Sequence, residues 1–225
     1  MGRKRKKGES MSSVYDIVSN ITTELEIKNQ TRDRALVESR QIVRHAANAI
    51  RALHRGDFHR ADESLEAGRT MVRAARTDLE NHPDLYWTGY VQDAQKEYSE
   101  ACIVASMIQQ TTIPGPQDLD VERAPYLNGL AEAASEMRRY VLDIVRRGEL
   151  PDMVEAERAL QIMDDVYTSL ITVDFPDQIT GGLRRTTDAL RAVLERTRGD
   201  LTVSIRQAEL ERALRSRGAQ ETEIG

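Results

Sequence analysis

Acidic side chains at helical spacing are where this sequence holds its clearest chemical potential. In the segment DAQKEYSEA, Asp93, Glu97 and Glu100 lie three and four residues apart, so at about 100° per residue they share one side of a helix. Tyr90, Ala101, Val104 and Ile108 fall within about 40° of Glu97, which puts this carboxylate at the margin of the apolar face. Burying a carboxylate without a partner costs several kcal/mol, so a metal ion, an arginine or a hydrogen-bond network is expected to meet it. An ordinary salt bridge to arginine is the plain alternative.

A second acidic pair, Glu132 and Glu136, stands one turn apart in YLNGLAEAASEMRRY. Its apolar face runs through Tyr126, Leu130, Ala134, Met137 and Val141, and Arg139 and Asp143 continue the stripe of Glu132 and Glu136 with mixed charge, as a solvated i,i+4 charge ladder would. If the two helices pack side by side, the pairs converge into an oxygen-rich cluster suited to the hard cations Mg2+ or Mn2+, and such clusters serve phosphoryl chemistry. A third feature is basic. Arg40, Arg44, Arg51 and Arg55 lie within about 60° of one another on a helical wheel, with Arg32 and Arg34 just upstream. That row can track a phosphate backbone or line the interior cavity of an oligomer, or it can be a solvated face. No aromatic residues interleave with it, so base stacking is not evident there.

Helices must position all of these groups. From Val14 to His54 apolar residues recur at helical spacing, with Leu36, Val43, Ala47, Ile50 and Leu53 on one side. Gly56-Asp57 punctuates, and Asp57 can cap a second helix toward Glu80. Asn81-His82-Pro83 breaks that helix, and a third runs from Pro83 to about Gln110, followed by the loop Thr111 to Pro116. Four more are predicted: Arg123 to Gly148, Pro151 to Thr172, Pro176 to Thr197 and Asp200 to Ser216, with Gly148, Asp174-Phe175-Pro176 and Gly199 as joints. The expectation is one all-α domain of seven helices over residues 12–217, a disordered basic tail over 1–11 and a disordered tail over 218–225.

Composition narrows the function classes. The 225 residues are 40% hydrophobic and 31% charged, which suits a globular chain, while 4% aromatics and six prolines argue against a β-sandwich. No apolar run approaches the roughly 20 residues of a membrane span and no secretory signal is evident, so a cytoplasmic location is expected. Cys102 is the only cysteine, which excludes intramolecular disulfides and Cys-based metal sites. The histidines, His45, His54, His59 and His82, show no ligand spacing. Net charge is −5, yet 27 arginines stand against five lysines, and guanidinium forks suit phosphate. No phosphate-binding loop, dinucleotide fingerprint or hydrolase elbow is present.

The order of segments over residues 15–205 resembles the translin/Trax family, most closely its archaeal translin-like members. KEYSEA is similar to the QEYVEA segment of Trax. YLNGLAEAASEMRR resembles the family's Tyr-Leu-x-Gly-Leu/Val-Ala-Asp-x-x-Gly-Glu-Leu stretch, and IMDDVYTSL and LRRTTDALRAVLERTRGDL correspond to its later helices. The resemblance implies a seven-helix subunit in a closed octamer with an internal cavity, binding single-stranded RNA or single-stranded DNA. For the Trax branch it implies a metal-dependent endoribonuclease, and Trax's acidic residues carry over onto Glu97, Glu100, Glu132 and Glu136. At Glu132 Trax has Asp, so the carboxylate here stands one methylene further out. Keeping all four positions acidic puts this chain nearer the catalytic branch; the alternative is a shell that binds single-stranded nucleic acid without cutting it.

Overall fold

The computed structural model describes residues 13–147 and 150–223, so the predicted basic tail over 1–11 lies outside the described residues. Helix α1 (Val14–His54) opens on a capping box, in which the Ser13 side chain accepts from the Asp16 amide and the Asp16 carboxylate from the Ser13 amide. Gly56, at φ +73°, turns the chain, and the Asp57 side chain accepts from the Arg60 amide to cap α2 (Phe58–Asp78).

The predicted third helix divides. Pro83–Tyr86 forms the single turn α3, and α4 (Gly89–Gln109) begins only after Thr88, whose backbone is extended and whose hydroxyl donates to the Leu85 carbonyl at 2.6 Å. Thr88 thus offers the backbone a local partner, and Gly89 lowers the cost of leaving the helix. Next come α5 (Arg123–Arg147), α6 (Leu150–Leu170), α7 (Asp177–Thr180) and α8 (Leu183–Glu223). The helix predicted from Pro176 stops at Gly181 and Gly182, at φ +63° and +83°, which leaves α7 as one turn.

The predicted joint at Gly199 does not exist. Thr197 and Leu201 are buried on either side of it, and Arg138 of α5 donates to Thr197 Oγ1 (3.2 Å) and Asp200 Oδ2 (2.8 Å). A helical glycine costs only about 1 kcal/mol relative to alanine, less than burial of a leucine such as Leu201 returns. α8 also continues to Glu223, beyond position 218 where the sequence predicts a tail, with the ion pairs Arg206–Glu209 and Arg215–Glu211 along it. Among the described residues there are eight helices and no strand, and no helix is long and apolar enough to cross a membrane.

Helix α5 lies at the centre, packed against α4, α6 and α8, and its Ala131, Ala133, Ala134, Met137 and Val141 are fully buried. Helix α1 packs on α2 and α4. Its deepest face is Ala35, Ile42, Ala46, Ala49 and Leu53, whereas Leu36, Val43, Ala47 and Ile50 are only half-buried. The small residues turn inward because alanine lets α4 approach closely. Two stretches leave apolar side chains open. Val14, Ile17, Val18, Ile21 and Leu25 on the first half of α1 are 49–77% exposed, as are Val203, Leu210 and Leu214 on the second half of α8, at 59–66%.

Candidate metal centre

Helices α4 and α5 meet at Gly129. A Cβ at that position would stand 2.7 Å from the Lys96 carbonyl oxygen, 2.9 Å from Ser99 Cβ and 3.1 Å from the Glu100 amide nitrogen, so no other residue fits without displacing the backbone. Glu132 lies three residues further along α5, and the close crossing therefore sets it opposite Lys96, Glu97 and Glu100. Carboxylate oxygens of Glu97, Glu100 and Glu132 come within 4.8 Å of one another. All three side chains are half-buried, which confirms the reading of Glu97 and moves Glu132 off the solvated face.

Electrostatics strain this arrangement. Burial first, and then the charges of Glu97, Glu132 and Glu136, push the Glu100 carboxyl up to about 8, with Lys96 offsetting part of the effect. Lys96 stands between its neighbours, with Nζ 3.0 Å from Glu132 and 3.4 Å from Glu97. Burial works against its ammonium, but the hydrogen bond to Glu132 and the two adjacent charges hold its pKa above the usual lysine value. One ammonium faces three carboxyls, so the cluster can accept further positive charge. Its donors are all oxygen, the set that suits Mg2+ or Mn2+.

Glu136, one turn beyond Glu132, is close enough to act on Glu100 electrostatically but its oxygens are not part of the close trio. Its Oε1 is instead 2.7 Å from Nε2 of His54, a side chain only 1% exposed at the last turn of α1, whose Nδ1 makes no hydrogen bond. Sequence reasoning missed both His54 and Lys96. His54 meets Glu136 across 82 positions, and Lys96 bridges two helices, so local spacing signals neither. The four arginines, Arg40, Arg44, Arg51 and Arg55, all emerge exposed along α1. Arg51 donates to Asn48 Oδ1 at 2.7 Å, and none of the four pairs with a carboxylate among the described residues. Asp93 is exposed on α4, outside the trio.

No protein-family model matches the chain. An uncharacterized protein of Methanocaldococcus jannaschii is 30% identical over 191 residues, which covers 84% of this chain and 82% of that protein. Among solved structures, AfC3PO superposes with a TM-score of 0.76 at 29% identity, over 83% of this chain and 96% of its own. AfC3PO in complex with duplex RNA gives 0.75 at 28% identity, over 83% and 95%. Apo-NeC3PO gives 0.76 at 20% identity, over 87% and 100%, and supports the fold alone. These C3PO chains are translin-family proteins of the same helical architecture. With the order of sequence segments, the helix packing and these relatives in agreement, the chain belongs to the translin/Trax family.

Proposed function

We propose that this chain is a subunit of a translin/Trax-type homo-oligomer, an octamer, that binds single-stranded RNA and cuts it with Mg2+ or Mn2+ held by Glu97, Glu100 and Glu132. The observation that carries the reading is the convergence of those three carboxylates within 4.8 Å at a helix crossing that only glycine permits. The AfC3PO complex with duplex RNA supports RNA as the polyanion. The open apolar stretches of α1 and α8 support assembly, since faces of that length are ordinarily covered by a second copy.

A bound divalent ion supplies a Lewis acid that offsets charge on the scissile phosphate and lowers the pKa of a coordinated water. The chain's own groups prepare that chemistry. Glu97 and Glu132 present oxygens at a spacing that Lys96 fixes from between them. Glu100, whose carboxyl burial and neighbouring charges push up to about 8, would be favoured in its ionised form by a divalent ion held beside it. His54 holds Glu136 apart from the trio through their 2.7 Å contact, leaving its charge to act on Glu100 from the side. Arg40, Arg44, Arg51 and Arg55 attract the strand without reading its sequence, so affinity falls as salt rises.

A second reading, a shell that holds single-stranded RNA or DNA without cutting it, is favoured by Lys96, which already provides the cluster with a cation of its own. Labelled single-stranded RNA incubated with the protein in Mn2+ separates the two. Cleavage is expected, with losses of a hundredfold or more in Glu100→Gln and Glu132→Gln. Tight binding without cleavage by the unaltered protein selects the second reading.

A further inference from the structure

A groove of about 640 Å³ opens beside the carboxylates, with Lys96 and Glu132 in its lining, and runs between α4 and α5 to the Gly181-Gly182 turn and the start of α8. This is the size of a small-molecule site, about 300–1,000 Å³. Trp87 forms one wall. Its side chain is 60% exposed, yet it is held in place: the ring stands edge-on to Tyr86, with centroids 5.4 Å apart and planes at 85°. Tyr86 is nearly buried, and its hydroxyl donates to Glu122 Oε1 at 2.8 Å and accepts from Gln95 Nε2 at 3.2 Å. The indole is thus anchored against a buried tyrosine while most of its surface stays open, as a stacking platform requires.

The remaining lining is polar and unspent. The side chains of Asp93, Asp177, Gln178 and Arg185 make no hydrogen bond or ion pair with any described residue. Two aspartates against one arginine do not make a phosphate pocket. They do make acceptors for hydroxyl and amino groups, with Gln178 able to donate and accept. An aromatic, hydroxyl-bearing ligand matches the chemistry of this lining, with a ring for Trp87 and donors for the two aspartates.

We infer that this groove is a nucleoside subsite, which takes the base and ribose of the nucleotide next to the phosphate at the carboxylates. The base lies on Trp87, and the ribose hydroxyls donate to Asp93 and Asp177. The inference rests on the reading of the chain as an RNA-binding protein, but not on cleavage.

Trp87 is the only tryptophan, so its fluorescence reports the groove directly. In EDTA, titration with a five-nucleotide single-stranded RNA is expected to quench it saturably, with weaker quenching by the deoxy strand of the same sequence. By anisotropy of labelled RNA, Trp87→Ala is expected to weaken binding about tenfold, the loss of one stacked base, while Trp87→Phe retains most of the affinity. Asp93→Asn with Asp177→Asn is expected to narrow the preference for ribose, and Mn2+ binding followed by electron paramagnetic resonance stays unchanged in every variant. Fluorescence that does not move at RNA concentrations saturating the anisotropy overturns the subsite, as does unaltered affinity in Trp87→Ala. A change of native mass in that variant would assign Trp87 to a contact between copies and overturn it too. Quenching that persists in a protein without nuclease activity leaves the subsite standing while the cleavage reading falls.

Discussion

The α4–α5 crossing and the arginine face of α1 both concern phosphate, and they are built in opposite ways. At the crossing, three carboxyls are forced together by backbone contact at Gly129, half-withdrawn from water, and one of them is driven to a pKa of about 8. Along α1, Arg40, Arg44, Arg51 and Arg55 are exposed, and no carboxylate among the described residues fixes them. Chemistry requires oxygens placed to fractions of an ångström, and packing supplies that; attraction of a polyanion requires only charge of the right sign, and a flexible row of side chains supplies that. The crossing should therefore fail steeply under small steric or charge changes, and the arginine face gradually.

The steepest failure is expected at Gly129. Gly129→Ala drives a methyl against the Lys96 carbonyl, so the helices must part; overpacking of this kind costs about 1–3 kcal/mol. Calorimetry should show the lowered Tm, and Mn2+ titration should show binding weakened at least tenfold. An alanine variant that binds Mn2+ normally would remove the contrast between the two regions.

Glu100 comes next. Its carboxyl ionises at about 8 in the folded protein against an ordinary 4.5, so its contribution to metal-free stability is full below pH 4.5 and is lost as the pH rises through about 8. Metal-free protein should lose on the order of a few kcal/mol across that window, and Glu100→Gln should flatten the profile and raise Tm at pH 8.5. Equal pH profiles for the two proteins would show that the crossing is better solvated than its geometry implies.

Glu132→Asp withdraws the oxygens by one methylene and should change Mn2+ affinity severalfold, measured by the same titration, without changing the fold. Smallest of all is a single arginine. Replacing any one of the four by Gln should lower the slope of log affinity against log salt by about 0.7, with no change in Mn2+ binding. A single replacement that abolished RNA binding would mean that the row is a specific clasp.

Much of this was legible in the sequence, and the parts that were not share a cause. Helical periodicity located α1, α2 and α5, and Asp57 marked the start of α2, because those signals are local and act within a turn or two. Gly199 misled because its effect is decided by Leu201 and Arg138, which reach it only after folding. Spacing within each helix put Glu97 beside Glu100 and Glu132 beside Glu136. It could not say that Lys96 would bridge the two helices, or that Glu136 would turn away to His54. Gly129 was part of the motif that carried the family resemblance, but its reason, contact with the α4 backbone, is visible only in three dimensions.

His54 terminates the same unbroken helix that displays the arginines. Between Arg40 and His54 lie 14 helical steps, or about 21 Å of rod without a hinge. Because Arg51 and Arg55 flank His54 on that rod, the cationic rail and the contact that holds Glu136 move as one rigid piece.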